Sequence, residues 1–280
     1  MSTLITKNRD REQFTFANIN LLGHCNADCY FCLGKDIKDE LAGKNQMGVH
    51  WEEWKNFWTF LKLCKKENVK KLYLTGQTAD GLQYKHLDTL VDFLQAIDFV
   101  VGVRTNGYLA EKKIESIKKM KGEIGYSIHS LDPQTNWRIM GRADIPNWDK
   151  IIPNSGDDVR VAIVINRFNL PQIDDVIKYI SKFKNVKYIQ LRRISTDTRY
   201  NLLEKDIGMF ESFYRKFSTV NKQTGEIYGA QIFNLYGKDI TFWRTVECSV
   251  NSLNYFTDGT VSDEYFVIEG YLKNMSKEEK

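Results

Sequence analysis

Six short apolar segments, each followed by a segment whose apolar residues repeat at helical spacing, run through the first 200 residues of this 280-residue chain. Strands that alternate with helices form parallel sheets with right-handed crossovers. Because six units are fewer than the eight of a closed barrel, we predict an α/β fold, an open, partial (β/α)6 TIM barrel. The predicted strands are Phe16–Leu22, Lys71–Thr75, Phe99–Thr105, Glu123–Ile128, Asp158–Asn166 and Val186–Ile194.

The pattern changes after about Thr196. Leu203–Val220 is predicted to form one amphipathic helix, and Gln231–Phe266 short strands with turns at Tyr236-Gly237 and Asp258-Gly259. We therefore expect a core over residues 1–200 and a small C-terminal α+β extension over residues 201–280, within the same structural unit. The helices predicted in the core are Trp51–Glu67, Lys85–Ile97, Ala110–Lys121, Pro133–Met140 and Leu170–Phe183.

Composition narrows the function classes. The chain has 42% hydrophobic residues and a net charge of +4, so it can bury a large core and does not require a nucleic-acid partner. No window approaches the 18 apolar residues of a membrane span, and the charged N-terminus lacks an apolar signal core. We expect a cytoplasmic protein with neither a membrane nor a nucleic-acid partner.

The most informative motif is a cysteine triplet on the loop after the first strand, formed by Cys25, Cys29 and Cys32 with the spacing C-x3-C-x2-C. Five cysteines in all, an odd and clustered set, argue against disulfides and favour a metal or redox site. Three thiolates on one loop bind one face of a [4Fe–4S] cube and leave the fourth iron without a protein ligand. A loop after a barrel strand lies at the C-terminal face, where active sites of this architecture occur.

Two other interpretations of the triplet stay open. A structural zinc ion could use these cysteines with His24, His50 or Cys64, although structural zinc motifs usually come as two spaced pairs of ligands. Alternatively, all three cysteines could be buried in a core without metal, although the flanking residues Gly23 and Gly34 are typical of a loop.

With the aromatic Phe31 before its last cysteine, the triplet resembles the signature of the radical S-adenosylmethionine superfamily, and the resemblance spans roughly residues 15–196. It implies two cofactors, a [4Fe–4S] cluster and S-adenosylmethionine. In that family the open iron chelates S-adenosylmethionine, and one electron cleaves it to methionine and a 5′-deoxyadenosyl radical that abstracts hydrogen from a substrate. The resemblance also implies an electron donor such as flavodoxin or ferredoxin.

The resemblance extends to the ends of the next predicted strands. Gly76 and Gln77 stand where the family has a Gly-Gly-Glu-Pro-like motif that binds the methionine amino group, with departures at Thr75, Gln77 and Thr78. Three further positions match the family's cofactor contacts: Asn106 in a Thr-Asn-Gly strand end, Ser127 near the ribose, and Arg138 near the carboxylate.

Further candidates follow on the later strands. His129 shares a strand face with Ser127, so it is expected to reach substrate or cofactor, a structural histidine being the alternative. Asn166 and Arg192 end strands that support the adenine and the substrate in the family. Because neighbouring side chains on a strand point to opposite faces, we expect at most one of Arg192 and Arg193 to face the interior, and we choose Arg192. An interior arginine favours an anionic substrate or the cofactor carboxylate.

The segment around Cys248 resembles the first half of the C-terminal extension called SPASM or twitch, but no further cysteines follow it. One cysteine cannot hold a second cluster, so we predict a degenerate extension and a single cluster. Cys248 is a candidate hydrogen-atom donor, as in radical epimerases, a small buried residue, or a ligand of another group. Cys64 is expected in the core.

These features predict a radical S-adenosylmethionine enzyme that acts on a peptide or another small polar substrate. One alternative is a radical epimerase or dehydrogenase of a sugar or natural product that uses Cys248 as its hydrogen donor. The other is a zinc-binding interaction module without catalytic activity.

Overall fold

The computed structural model describes residues 14–36, 43–76, 78–196, 199–244 and 251–263. The strands are β1 (Phe16–Leu21), β2 (Lys71–Gly76), β3 (Val100–Thr105), β4 (Ile124–Ser127), β5 (Val159–Val164), β6 (Val186–Arg192), β7 (Gln223–Ile227), β8 (Ala230–Leu235), β9 (Lys238–Trp243), β10 (Ser252–Phe256) and β11 (Val261–Ser262). The α-helices are α1 (Phe57–Lys66), α2 (Leu87–Ala96), α3 (Ile114–Lys119), α4 (Pro133–Met140), α5 (Trp148–Ile151), α6 (Ile173–Ser181) and α7 (Tyr200–Val220).

All of these strands belong to one open sheet in the order β11-β10-β1-β2-β3-β4-β5-β6-β9-β8-β7. Strands β1 to β6 pair in parallel and in sequence order, with helices between them, which confirms the predicted α/β partial barrel. Parallel strands place all their carboxyl ends at the same edge of the sheet. That edge therefore carries the loops after β1 to β6, including the cysteine loop.

The C-terminal segment contributes to both sides of the barrel sheet. Strand β9 pairs in parallel with β6, and β10 pairs in parallel with β1. Added strands satisfy backbone groups that would otherwise be exposed on the edges of the six-stranded core. The predicted turns occur at Tyr236-Gly237, with φ 52° and 73°, and at Gly259, with φ 99°. Strand β7 was not predicted, because most of its residues are exposed and no alternation marks it.

The predicted helix Trp51–Glu67 is wrong in its first part. A short 3₁₀ turn covers Trp51–Glu53, and α1 begins only at Phe57, because Asn56 adopts a left-handed conformation with φ 60°. The predicted helix Leu170–Phe183 likewise divides into a 3₁₀ turn and α6.

Helix α4 lies where the sequence predicts it, because both of its ends are specified locally. The Asp132 carboxylate accepts a hydrogen bond of 2.7 Å from the Thr135 amide, Pro133 occupies the first turn, and Gly141 ends the helix at φ 69°. These are the favoured residues for a helix start and stop.

An aromatic cluster fixes the long helix α7 against the sheet. Phe210 and Phe217 lie with their rings 5.9 and 5.1 Å from Phe242 on β9, and Phe217 also contacts Phe233 on β8. An ion pair adds to this attachment: the partly exposed Arg167, after β5, binds the fully buried Asp206 at 2.6 Å.

No helix among the described residues is long and apolar enough to cross a membrane.

Replacing Phe210 by alanine tests this packing. The ring is fully buried, so we expect Phe210→Ala to lower the free energy of unfolding by about 3–5 kcal/mol, from lost apolar burial and the cavity left behind. Leu202→Ala on the same helix is the matched control, because that side chain is 72% exposed, and it should change stability by less than about 0.5 kcal/mol. Urea denaturation measures both, and equal midpoints would contradict the packing role.

Candidate active site

A cavity of about 280 Å³ opens at the carboxyl ends of the parallel strands. It brings together side chains that lie far apart in sequence, from the loop after β1 to the end of β6. Among the predicted site residues, those that line it are Cys25, Cys29, Phe31, Cys32, Gly76, Asn106, Ser127, His129 and Arg192. Arg193 lines it as well, so the prediction that at most one of these two arginines faces the interior is wrong, because β6 ends at Arg192 and side-chain alternation does not continue beyond the strand.

The cysteine loop is held in place through its backbone. The amides of Asp28 and Tyr30 donate to the carbonyls of Met140 and Ile139 at 2.8 and 3.1 Å. These carbonyls belong to the last turn of α4, where helix carbonyls lack intrahelical partners. Sequence reasoning predicted α4 but not this contact, because the partners are more than 100 residues apart.

Two arginines that the sequence analysis missed also bind this loop. Arg199 donates from its two terminal nitrogens to the carbonyls of Tyr30 and Cys32, at 2.8 and 2.6 Å. Arg142 donates to the Asn26 carbonyl at 2.9 Å and stacks on the Tyr108 ring, with 4.2 Å to the ring centroid. The backbone that presents the three cysteines is therefore fixed from several sides.

The three thiols fit a metal cluster chemically. Removal from bulk water raises the pKa of Cys25 to about 11, and burial also raises the pKa values of Cys29 and Cys32. The thiols are therefore protonated at neutral pH in the metal-free chain, and metal binding has to displace the protons, because thiolate is the ligand form.

The three thiols lie on one short loop and line one cavity, which is the ligand set of a four-iron cube with one open iron. Within the described residue ranges, no three His, Cys, Asp or Glu side chains are grouped closely enough to hold a single metal ion.

A buried carboxylate, Asp80, organises the end of β3 beside the cysteine loop. It accepts hydrogen bonds from the Thr105 hydroxyl at 2.8 Å and from the Asn106 amide at 2.7 Å. The Asn106 side chain in turn donates to the Asn26 side chain at 2.7 Å and lies 3.6 Å from the Cys25 sulfur. Asp80 therefore positions the residue predicted to contact the cofactor. Its only sequence signal is a capping box with Gln83.

Gly76 is required by a tight turn after β2. A Cβ atom at this position would lie 2.0 Å from the Ala79 carbonyl oxygen, so any side chain here would clash with backbone. The glycine that the sequence analysis placed at the methionine-binding motif is therefore required by the chain's own turn.

Ser127, which ends β4, and His129, two residues later, both face the cavity, as their shared parity predicts. The His129 Nδ1 atom accepts a hydrogen bond of 3.1 Å from the Val164 amide, which places the proton of the neutral ring on Nε2. Burial, with a smaller contribution from the charge of Arg192, lowers the pKa of His129 to about 3. The ring is therefore neutral at pH 7 and can donate one hydrogen bond from Nε2.

Asparagines on β1 and β10 form the opposite wall, which the sequence analysis did not identify. Asn18 and Asn20 line the cavity together with Asn254, and the Asn18 amide donates to the Asn254 side chain at 2.8 Å. Their alternation along β1 was the available signal, because residues two apart share a face.

The remaining predicted residues lie elsewhere. Arg138 is exposed on α4 and is not among the residues that line the cavity. Asn166 is buried, and its side chain bonds its own loop, donating to the Val164 carbonyl and accepting from the Phe168 amide. Gln77 and Cys248 lie outside the described residues.

Asp80→Asn tests the buried network. The substitution replaces one acceptor oxygen of the Asp80 carboxylate by an NH2 donor, in a site surrounded by donors. We therefore expect the free energy of unfolding to fall by about 1–3 kcal/mol. Asp92→Asn is the control, because Asp92 lies on the exposed side of α2. Urea denaturation of both variants measures the difference, and wild-type stability in Asp80→Asn would argue against the network.

Residues 19–180 match the Radical SAM superfamily. A curated relative, the GTP 3′,8-cyclase of Campylobacter fetus subsp. fetus (strain 82-40), is 26% identical over 186 residues, which cover 64% of this chain and 54% of the relative. Among solved structures, Streptococcus suis SuiB bound to S-adenosylmethionine has a TM-score of 0.63 at 14% identity, over 90% of this chain and 61% of SuiB. SuiB bound to its precursor peptide SuiA has a TM-score of 0.59 at 13% identity, over 91% of this chain and 61% of SuiB.

The chain thus spans about half the length of the curated relative and about three fifths of SuiB. The match begins within β1, covers the barrel strands β2 to β5 and includes the whole cysteine triplet. It confirms the predicted enzyme class and its cofactors, and it speaks against a zinc-binding interaction module. The chain belongs to the radical SAM superfamily, enzymes that use a [4Fe–4S] cluster and S-adenosylmethionine.

Proposed function

We propose that the chain cleaves S-adenosylmethionine reductively at a [4Fe–4S] cluster held by Cys25, Cys29 and Cys32, and abstracts a hydrogen atom from a peptide or another small polar substrate. One observation carries the proposal: the three thiols face the same cavity as Gly76, Asn106 and Ser127. When bound, the cluster and S-adenosylmethionine supply the electron and the 5′-deoxyadenosyl radical. An electron donor such as flavodoxin or ferredoxin is part of the proposal.

The chain's own residues would hold and orient the cofactors. The three cysteines ligate the cluster. The side chains of Arg142 and Arg199 donate hydrogen bonds to backbone carbonyls of the cysteine loop and so hold the loop in place. The Asn106 amide and the Ser127 hydroxyl offer hydrogen bonds to polar cofactor groups. On the resemblance alone, Gln77 is also proposed to contact S-adenosylmethionine.

The cavity walls would protect a reactive intermediate. Apolar side chains on several elements line it, among them Phe31, Met140 and Val164. The Phe31 ring packs edge-on against His129, with 5.2 Å between ring centroids. His129 is proposed to donate its Nε2 hydrogen bond to substrate or cofactor. Apolar side chains that exclude water from the reacting atoms limit side reactions of the radical.

The substrate is proposed to be polar. Asparagine, serine and arginine side chains line the cavity beside the apolar ones. A peptide is favoured by the likeness to SuiB, which has been solved with its precursor peptide. A small polar molecule is favoured by the name of the curated relative, a GTP 3′,8-cyclase. A role for Cys248 as hydrogen donor in an epimerase stays a prediction.

Anaerobic purification followed by iron, sulfide and 5′-deoxyadenosine assays with dithionite tests the proposal. The wild type should hold about four irons per chain and form 5′-deoxyadenosine from S-adenosylmethionine. Cys25→Ala, Cys29→Ala and Cys32→Ala should each lose most of the iron and reduce 5′-deoxyadenosine to background, because two thiolates cannot hold the cluster face.

Cys64→Ala is the matched control, because this thiol is buried among apolar residues of the core. It should keep both iron and cleavage. Bound zinc in place of iron, together with no 5′-deoxyadenosine in the wild type, would overturn the proposed function.

A further inference from the structure

Two arginines meet inside the barrel over a glycine. Arg104 on β3 is in register with Gly125 on β4, which is in register with Arg160 on β5. Residues in register on parallel strands point to the same side of the sheet, and all three residues line the cavity. A Cβ atom at Gly125 would lie 2.5 Å from an Arg160 terminal nitrogen and 3.5 Å from the Arg104 Cγ. The missing side chain therefore makes room for both guanidinium groups.

Positive charge exceeds negative charge in this layer. Glu123 accepts from Arg160 Nε at 2.8 Å and from the Tyr188 hydroxyl at 2.9 Å. Burial tends to raise the pKa of Glu123, but the charges of Arg160 and Arg104 outweigh burial and hold the pKa below its usual value. This carboxylate is thus ionised, and it offsets one of the two arginine charges. Asp158 also acts on Arg160, but Asp158 is exposed. Partial burial and the charge of Glu123 raise the pKa of Asp158, and the charges of Lys71 and Lys187 oppose this rise more than that of Arg160 does.

Arg104 keeps hydrogen-bonding capacity for a ligand. Its guanidinium lies against the rings of Tyr73 and Phe16, at 4.6 and 5.0 Å from their centroids. Such stacking uses the faces of the guanidinium and leaves its edge donors to form hydrogen bonds. The buried Nε atom has no acceptor among the residues that the structure describes.

Acidic side chains are few in the described lining of the cavity, which contains four arginines but a single carboxylate, Asp80. The Asp80 oxygens already accept hydrogen bonds from Thr105, Asn106 and Leu82. Arg193 binds Glu211 at 3.0 Å, and Arg160 binds Glu123 at 2.8 Å. The positive charge that the described residues leave without an ion pair in this layer is therefore that of Arg104.

We propose that Arg104 binds an anionic oxygen group of the substrate, a carboxylate or a phosphate, with the charge of Arg160 beside it. Arg160 itself donates from Nε to Glu123 and from Nη1 to Gln190, at 2.8 and 2.9 Å. The proposal rests on the function proposed above and adds the class of substrate. Gly125 precedes Ser127 by two residues, so the arginine layer lies about 7 Å deeper along β4 than the residue predicted to contact the cofactor. A guanidinium fork matches the paired oxygens of carboxylates and phosphates.

Anion binding to Arg104 variants tests the proposal. Inorganic phosphate and acetate are titrated calorimetrically into the wild type, Arg104→Gln and Arg104→Lys at constant ionic strength. Arg104 is chosen because changing Arg160 would leave Glu123 buried without its partner. We expect Arg104→Gln to weaken binding about tenfold or more, since hydrogen bonds to charged groups are lost. The affinity of Arg104→Lys for the anions should lie between those of the wild type and Arg104→Gln, because lysine keeps the charge but lacks the paired donors of the guanidinium group.

Arg215→Gln, on the exposed side of α7, is the control and should bind anions as the wild type does. Tighter binding of phosphate would point to a phosphorylated substrate, and tighter binding of acetate to an acidic side chain or another carboxylate. Wild-type affinity in Arg104→Gln, or no binding of either anion to the wild type, would overturn the proposal.

A parallel assay separates this site from the cofactor site. We expect 5′-deoxyadenosine formation without substrate to be the same in Arg104→Gln and wild type. A parallel loss of this cleavage would show that Arg104 binds the cofactor carboxylate and would overturn the proposal. If the wild type forms no 5′-deoxyadenosine, the proposed function fails, whereas the anion titrations still decide whether the arginine site exists.

Discussion

Parallel pairing of β1 to β6 is the constraint on which the rest of the structure depends. Because every strand runs in the same direction, the cysteine loop, the Gly76 turn, Asn106 and Ser127 come to one edge of the sheet. The C-terminal segment extends the sheet on both sides. Its strands β10 and β9 run parallel to their neighbours β1 and β6. The cavity therefore follows from topology, and its chemistry from the residues at the strand ends.

Hydrogen bonds between distant segments then fix the positions of these residues. The cysteine loop is tied to α4 and Arg199, and Asp80 links the turn after β2 to the end of β3. Inside the barrel, the absence of a side chain at Gly125 lets Arg104 and Arg160 approach each other. Hydrogen bonds to backbone groups thus position the residues at the predicted cofactor-binding edge. The glycine makes room for the two arginines of the deeper layer.

Local signals predicted the regular elements well. The first six strands lie within one or two residues of their predicted bounds, and α4 matches because its caps are encoded in Asp132, Pro133 and Gly141. The predicted helix from Trp51 failed where Asn56 turns left-handed, since periodicity continues through a short interruption of the helix. Strand β7 was not predicted, because most of its residues are exposed and its sequence does not alternate between apolar and polar residues.

The sequence by itself determined the cysteine triplet, the strand and helix alternation and the parity of Ser127 and His129, because spacing along one chain segment sets each of them. Only the tertiary structure decided that Arg142, Arg199 and Asp80 support the site, and that Arg104 and Arg160 share one layer. Those relations depend on strand register and on partners far apart in sequence. Neither can be read from spacing within one segment.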